Sequence, residues 1–218
     1  MNIFLLSIHP DVAARLLADV HAVKMTLETL QMIWSALLMS LNPYVWPLAP
    51  YRIAHINHPS TKWVRYSTEN YKWTLQLGYS ICKIYQSRYN KVHKCMQHYE
   101  ELLKLPDPIF RKNTLDSFDK TKLAFCEVPN CCSFFPLAIS DEIFSSVAVW
   151  KNDVLNGVET YKNYYRYKEK SMKRKMLWNR EPNTVDNVFK KNNVETNEDY
   201  LQICKEDTTT IKRIKTDS

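Results

Sequence analysis

Residues 18–32 read ADVHAVKMTLETLQM, and the periodicity of this stretch decides the fold. On an α-helix turning about 100° per residue, with Asp19 at zero, His21, Lys24, Glu28 and Gln31 fall at about 200°, 140°, 180° and 120°. They make one polar stripe about 80° wide. Val20 and Leu27 border it on one side, Met25 and Met32 on the other. An ordinary solvent face is wider and more charged. The spacing therefore predicts a helix whose polar stripe floors a wet groove between apolar shoulders. His21 and Glu28, seven positions apart, would face one bound group there, and Lys24 between them would hold a phosphate or tune Glu28. The plainer alternative is an i,i+4 surface pair of Lys24 and Glu28, worth a few tenths of a kcal/mol, beside a half-exposed His21.

Composition agrees with helix. The 218 residues include 2 Gly, against 10 Pro, 13 Tyr and 6 Trp, and 45% are hydrophobic. So little Gly speaks against nucleotide folds that cradle phosphate on Gly-rich loops. It also speaks against a β-fold with many primed turns. The expectation is a mainly α protein: a single compact multi-helix domain over residues 1–180, with a loop-rich insertion at 106–140. Beyond Glu181 the text is rich in Asn, Thr and Lys, and the 181–218 tail is expected to be disordered.

Within the body, NIFLLSI reads as a strand or a buried extended arm. A helix is expected to start at His9-Pro10-Asp11 and run to about Ser40, with a break allowed. NPYVWPLAPY, with three prolines in eight residues, is a loop. One or two helices follow between Asn57 and Tyr89, with Trp73, Leu77, Ile81, Ile84 and Tyr85 on one side. VHKCMQHYEELLKL adds another. Ser140 is expected to cap a helix reaching Asn156-Gly157, and a last helix to span Val158 to about Trp178.

Six cysteines, Cys82, Cys95, Cys126, Cys131, Cys132 and Cys204, are read as reduced thiols in a cytosolic or nuclear setting. The gap from Cys126 to Cys131 does not fit a zinc knuckle, and no His follows it. No metal or cofactor is expected. No apolar run reaches the 18 or so residues of a membrane span.

The chain carries a formal charge of +7. From Glu181 onward six Lys/Arg stand against eight Asp/Glu, a net of −2, so the first 180 residues carry +9. A basic body suggests an acidic partner, DNA above all. Between Tyr161 and Lys175 there are seven Lys/Arg and one Glu, interleaved with Tyr164, Tyr165 and Tyr167. Basic charge attracts phosphate and aromatic rings stack on exposed bases. Lys162, Tyr165 and Arg166 are the candidate contacts here, although Tyr161, Tyr165 and Trp150 would alternatively pack inward. Arg88, Lys91 and His93 are candidates in YQSRYNKVH, and Asn57, His58, Arg65 and Asn70 in NHPSTKWVRYSTENYKW. His58, before Pro59, sits at a helix start where backbone N–H groups receive anions.

Taken together, MNIF…P…AA…D-x-H-x-V-K-M-x-L-E-x-x-Q, NHPS…W-x-R…N-Y-x-W, Y-x-x-R-Y-x-K-x-H and Y-x-x-Y-Y…K…W-x-x-R-x-P resemble a family of small proteins of bacteriophages and large DNA viruses, over roughly residues 1–182. The resemblance places the protein inside a virus-infected cell, in cytoplasm or nucleus, and carries no activity with it. ADVHAVKMTLE is also similar to the N-terminal helix of the bacteriophage endonuclease V-type pyrimidine-dimer DNA glycosylases. There an Ala-Asp-x-His is followed seven residues later by the catalytic Glu; His21 and Glu28 match those positions. The nucleophile that this resemblance implies is the α-amine at the head of the mature chain. Asn2 is too large for ready removal of Met1, so Met1 and Asn2 are both candidates for it. The sequence departs from that family in a longer lead before His21, in the absence of Arg between Arg15 and Arg52, and in its long aromatic middle region.

Three readings follow. The first is a DNA base-excision glycosylase with AP lyase activity on damaged or modified pyrimidines, using Glu28, His21, Lys24 and the terminal amine. The second is an enzyme that modifies or hydrolyses a viral nucleotide or DNA base in the same groove. The third is a non-enzymatic nucleic-acid binder.

Overall fold

Two helices that cross the middle of the molecule, α2 (Asp19–Leu37) and α4 (Thr68–Tyr89), form its principal packing pair. The computed structural model describes residues 2–41, 49–111, 115–125, 134–179 and 181–194. The mainly α architecture expected from the sequence is what is found. The other helices are α1 (Pro10–Leu16), α3 (Pro59–Val64), α5 (Met96–Leu103), α6 (Asp141–Val147), α7 (Gly157–Ser171) and α8 (Val185–Val194). Three two-stranded antiparallel ribbons complete it: β1 (Leu123–Phe125) with β2 (Phe134–Pro136), β3 (Trp150–Lys151) with β4 (Val154–Leu155), and β5 (Leu177–Trp178) with β6 (Glu181–Pro182).

The N-terminal segment is an arm rather than a strand. Ile3, Leu5 and Leu6 are fully buried, and each large apolar side chain removed from water contributes about 1.5–3 kcal/mol. The long helix expected from Pro10 to about Ser40 is two helices. Leu17 and Ala18 have extended backbone, with ψ of 130° and 155°. The break frees backbone carbonyls, and buried side chains of distant segments satisfy them. Arg88 of α4 donates to Leu17 O at 2.6 Å and to Arg15 O at 2.8 Å. Trp178 Nε1 donates to Leu16 O at 3.1 Å.

Local rules account for most boundaries. Ser67 caps α4 by accepting from Asn70 N–H, and Asn90, at φ 50°, ends it in the left-handed conformation. Indole N–H groups tie loops to the core: Trp63 donates to Phe134 O and Trp73 to Ile8 O.

Three expected boundaries are corrected. The helix after Ser140 stops at Val147, because Asn152 and Asp153, at φ 49° and 61°, turn the following residues into the β3–β4 hairpin. Trp150 lies on that hairpin and is 56% exposed rather than packed inward. Asn156 does not end a helix; its Oδ1 accepts from Glu159 N–H and starts α7. Helix α7 ends at Ser171, short of Trp178, whose ring is buried in the β5–β6 ribbon. Finally, the folded body continues past residue 180. Val185, Val188 and Phe189 recur at helical spacing and are buried, seating α8 against α1 and α7. The expected disorder of 195–218 lies outside the described residues, as do the loop at 42–48 and Cys126, Cys131, Cys132 and Cys204. Cys82 and Cys95 are free and buried. Among the described residues no helix is long and apolar enough to cross a membrane.

Candidate functional site

The polar stripe of α2 borders a pocket of about 230 Å³. Its walls come from the N-terminal arm (Asn2, Phe4), from α2 (His21, Lys24, Met25, Glu28), from Ala138 after β2, and from α7 (Tyr164, Lys168). Thus the three stripe residues His21, Lys24 and Glu28 do converge, and Asn2 joins them. Gln31 is not part of the lining. The expected groove has one apolar wall, with Met25 and Phe4, and not two. Leu27, on the other shoulder, faces solvent.

Glu28 is 14% exposed and is paired with Lys24, Nζ to Oε1 2.9 Å, while Lys24 is 65% exposed. The carboxylate is thus held at the pocket wall by a cation that reaches it from the water side. Such a pair, one partner largely buried, is less screened than a surface pair.

His21 is buried, with its ring 4.9 Å from that of Phe4 and its Nδ1 2.6 Å from the Tyr165 hydroxyl. Burial, with Lys168 and Lys24 nearby, pushes its pKa down to about 4, so the ring is neutral at physiological pH. The Tyr165 hydroxyl also accepts from the Ala18 backbone N–H. Among the described residues the phenolic hydrogen has no acceptor other than Nδ1, so it is donated there and the neutral imidazole carries its own hydrogen on Nε2. Burial raises the Tyr165 pKa well above its ordinary value, so this proton stays on the phenol.

Asn2 is pinned by its own amide. Its Nδ2 donates to Ala138 O at 3.1 Å, and its Oδ1 accepts from the Tyr161 hydroxyl at 2.9 Å. That hydroxyl in turn accepts from Ala138 N–H at 3.2 Å. Tyr161 is fully buried. Behind Asn2, the buried Ile3, Leu5 and Leu6 anchor the arm. Met1 lies outside the described residues.

Most of the residues expected to contact nucleic acid have structural work instead. Arg88 is 6% exposed and pairs with Asp19 at 3.0 Å in the break between α1 and α2. Asn70 is fully buried and donates to Trp63 O. Tyr165 is fully buried. His58 caps α3 itself, its Nδ1 accepting from Ser60 N–H at 3.2 Å, which takes up one of the N–H groups expected to receive an anion. Arg65 donates to Ile56 O. His93 Nδ1 accepts from Cys95 N–H at 3.1 Å. Lys162 is paired with Glu159 at 3.0 Å and Arg166 with Asp186 at 2.6 Å, and both cations lie over the Phe189 ring. They hold α8. Asn57 and Lys91 are exposed and do not line the pocket.

The site residues missed in the sequence are Phe4, Tyr164 and Lys168. The signal lay in the 161–168 register. Tyr161 and Tyr165 point to the core and Lys162 and Arg166 to α8, so Tyr164 and Lys168, four apart, take the remaining face. Lys168 Nζ stands 4.8 Å from the centre of the Tyr164 ring. Exposed Lys170, Lys173, Arg174 and Lys175 continue the positive charge beyond it. Among the described residues no cluster of His, Cys, Asp and Glu is arranged to hold a metal ion.

No family model, no curated protein and no solved structure matches this chain.

Proposed function

We propose that this protein is a DNA-acting enzyme that attacks the sugar of a damaged or modified pyrimidine nucleotide, as a base-excision glycosylase with AP lyase activity. One observation carries the reading: Asn2, pinned through its amide to Ala138 and Tyr161, lines the same pocket as Glu28 and His21. Asn2 and Glu28 thus border the same space, which supports an amine from the N-terminal arm as the group that Glu28 would assist. An α-amine titrates near 8, so about half of it is nucleophilic at pH 8. Its lone pair forms a bond to C1′ as the bond from C1′ to the base breaks, and the base leaves with that electron pair and a proton. The nitrogen lone pair then opens the C1′–O4′ bond, O4′ taking up a proton, to give the imine, and loss of a C2′ proton from that imine expels the 3′-phosphate. Glu28 stabilises positive charge at the sugar and moves these protons. Neutral His21 offers an Nε2–H to the substrate, and Lys24 holds Glu28 in place.

The DNA strand would lie along Lys24, Lys168 and the exposed run Lys170–Lys175. The similarity of ADVHAVKMTLE to the endonuclease V-type helix supports the same assignment of Glu28. The test is strand scission at a single abasic site in duplex DNA. The wild-type chain is expected to cut, and Glu28→Gln to slow the reaction by about 10²-fold or more. Intact DNA with the wild-type chain would overturn the reading.

A second reading, hydrolysis or modification of a free nucleotide, draws support from the burial of Arg88, Asn70 and Tyr165, which shortens the surface open to a long strand. Consumption of free deoxynucleotides, with abasic DNA untouched, would favour it.

A further inference from the structure

The charges around the pocket do not balance. Glu28 has Lys24 as its partner. Lys168 has no carboxylate partner among the described residues; its ammonium rests on the face of Tyr164. With His21 neutral, the lining carries one surplus positive charge. The pocket also holds an unused donor. His21 Nδ1 is taken by Tyr165, so the ring's remaining hydrogen, on Nε2, has no acceptor among the described residues. A surplus ammonium, a second ammonium shared with Glu28 and a neutral imidazole N–H together suit one anion with several acceptor oxygens.

Size and wall chemistry narrow that anion. About 230 Å³ lies below the roughly 300–1,000 Å³ of pockets for drug-sized ligands. The rings of the lining are already engaged: Lys168 lies over a face of Tyr164, and Phe4 is buried against Tyr161 and Tyr165. A phosphorylated sugar fits such a space, with any base left outside.

We infer that Lys168, Lys24 and the Nε2–H of His21 form a phosphate subsite that holds a phosphate ester of the sugar lying against Glu28. The assignment rests on the proposed reaction for which sugar is held, and on the pocket alone for the phosphate. A Lys ammonium acts as a point charge on phosphate, and a hydrogen bond to a charged group is about twice as strong as a neutral one.

The experiment follows the His21 ring nitrogens by NMR in the full chain as inorganic phosphate is added at low salt. A saturable shift of His21 Nε2 is expected. Lys168→Gln should weaken the apparent affinity about tenfold, the scale of one charge-assisted hydrogen bond. Lys168→Arg should keep it, which separates charge from folding, and Lys120→Gln, at an exposed cation paired with Asp116, should leave it unchanged. Absence of a His21 response, or equal affinity in Lys168→Gln, overturns the subsite. Two further arms compare 2-deoxyribose 5-phosphate with abasic duplex DNA. Tighter binding of the duplex assigns the phosphate to a DNA backbone, and tighter binding of the sugar phosphate to a free metabolite. Phosphate binding without imine formation would leave the subsite standing and remove the glycosylase reading; imine formation indifferent to Lys168 would do the reverse.

Discussion

The hydroxyl of Tyr165 on α7 lies 2.6 Å from Nδ1 of His21 on α2, inside the core and behind the pocket. This contact joins two segments 144 residues apart and engages Nδ1 of His21, which leaves Nε2 outside it. Burial there, with Lys168 and Lys24 nearby, keeps that histidine neutral at physiological pH.

The first prediction is a pH dependence of stability. The folded pKa of His21 is about 4, below its ordinary 6.5. Between these values the unfolded chain binds the proton and the folded chain does not, so stability rises with pH. The contribution is fully present above pH 6.5 and declines as pH falls toward 4. Its full size is on the order of 3 kcal/mol. Urea unfolding of the wild type should show this slope, and His21→Gln should flatten it between pH 4 and 6.5. A wild-type curve without slope in that window would refute a neutral His21.

The second prediction concerns the break between α1 and α2. Arg88 satisfies two freed carbonyls and pairs with the buried Asp19. Removing one member of such a pair leaves the other buried and uncompensated. Arg88→Met should therefore cost about 3–5 kcal/mol in chemical denaturation. A cost below about 1 kcal/mol would mean that Arg88 is the surface group it resembles in the sequence.

Arg88 also shows where the sequence was legible. The apolar period of α2 and α4, the arm, and the convergence of His21, Lys24 and Glu28 follow from spacing within one segment. Burial of Arg88 does not: the break it fills is created by Leu17 and Ala18, which carry no breaker residue, and is closed from 70 residues away. The same holds in α7. Its basic and aromatic residues are evident, but which of them face the pocket depends on α8, whose Val185, Val188 and Phe189 claim the side bearing Lys162 and Arg166. A one-residue choice in register separated Tyr165, which is core, from Tyr164, which is site. Asn2 was reached only through the family resemblance; its amide bonds to Ala138 and Tyr161 span more than 130 residues.

The third prediction separates two neighbouring cations. Arg166→Glu breaks the pair with Asp186 and should speed hydrogen exchange in Val185–Val194 without altering phosphate binding. Lys168→Glu should leave that exchange pattern as it is and abolish phosphate binding. The opposite pattern would contradict the register assigned to α7.

The fourth prediction tests α4 against α5. A Cβ at Gly78 would overlap the ring of Tyr99, which is fully buried and donates to Thr26 O at 2.8 Å. Gly78→Ala should destabilise by about 1–3 kcal/mol through overpacking, although Ala is the better helix former. Thermal unfolding that shows a stabilised variant would contradict the packing.

The central claim is that the head of the chain supplies a nucleophile beside Glu28. Borohydride reduction of the protein with abasic duplex DNA, followed by peptide mass spectrometry, tests it most directly. The account predicts one covalent adduct, on the α-amine of the N-terminal peptide, that is lost when this amine is blocked by reductive methylation. No adduct, or an adduct on an internal lysine such as Lys24 or Lys168, would contradict it.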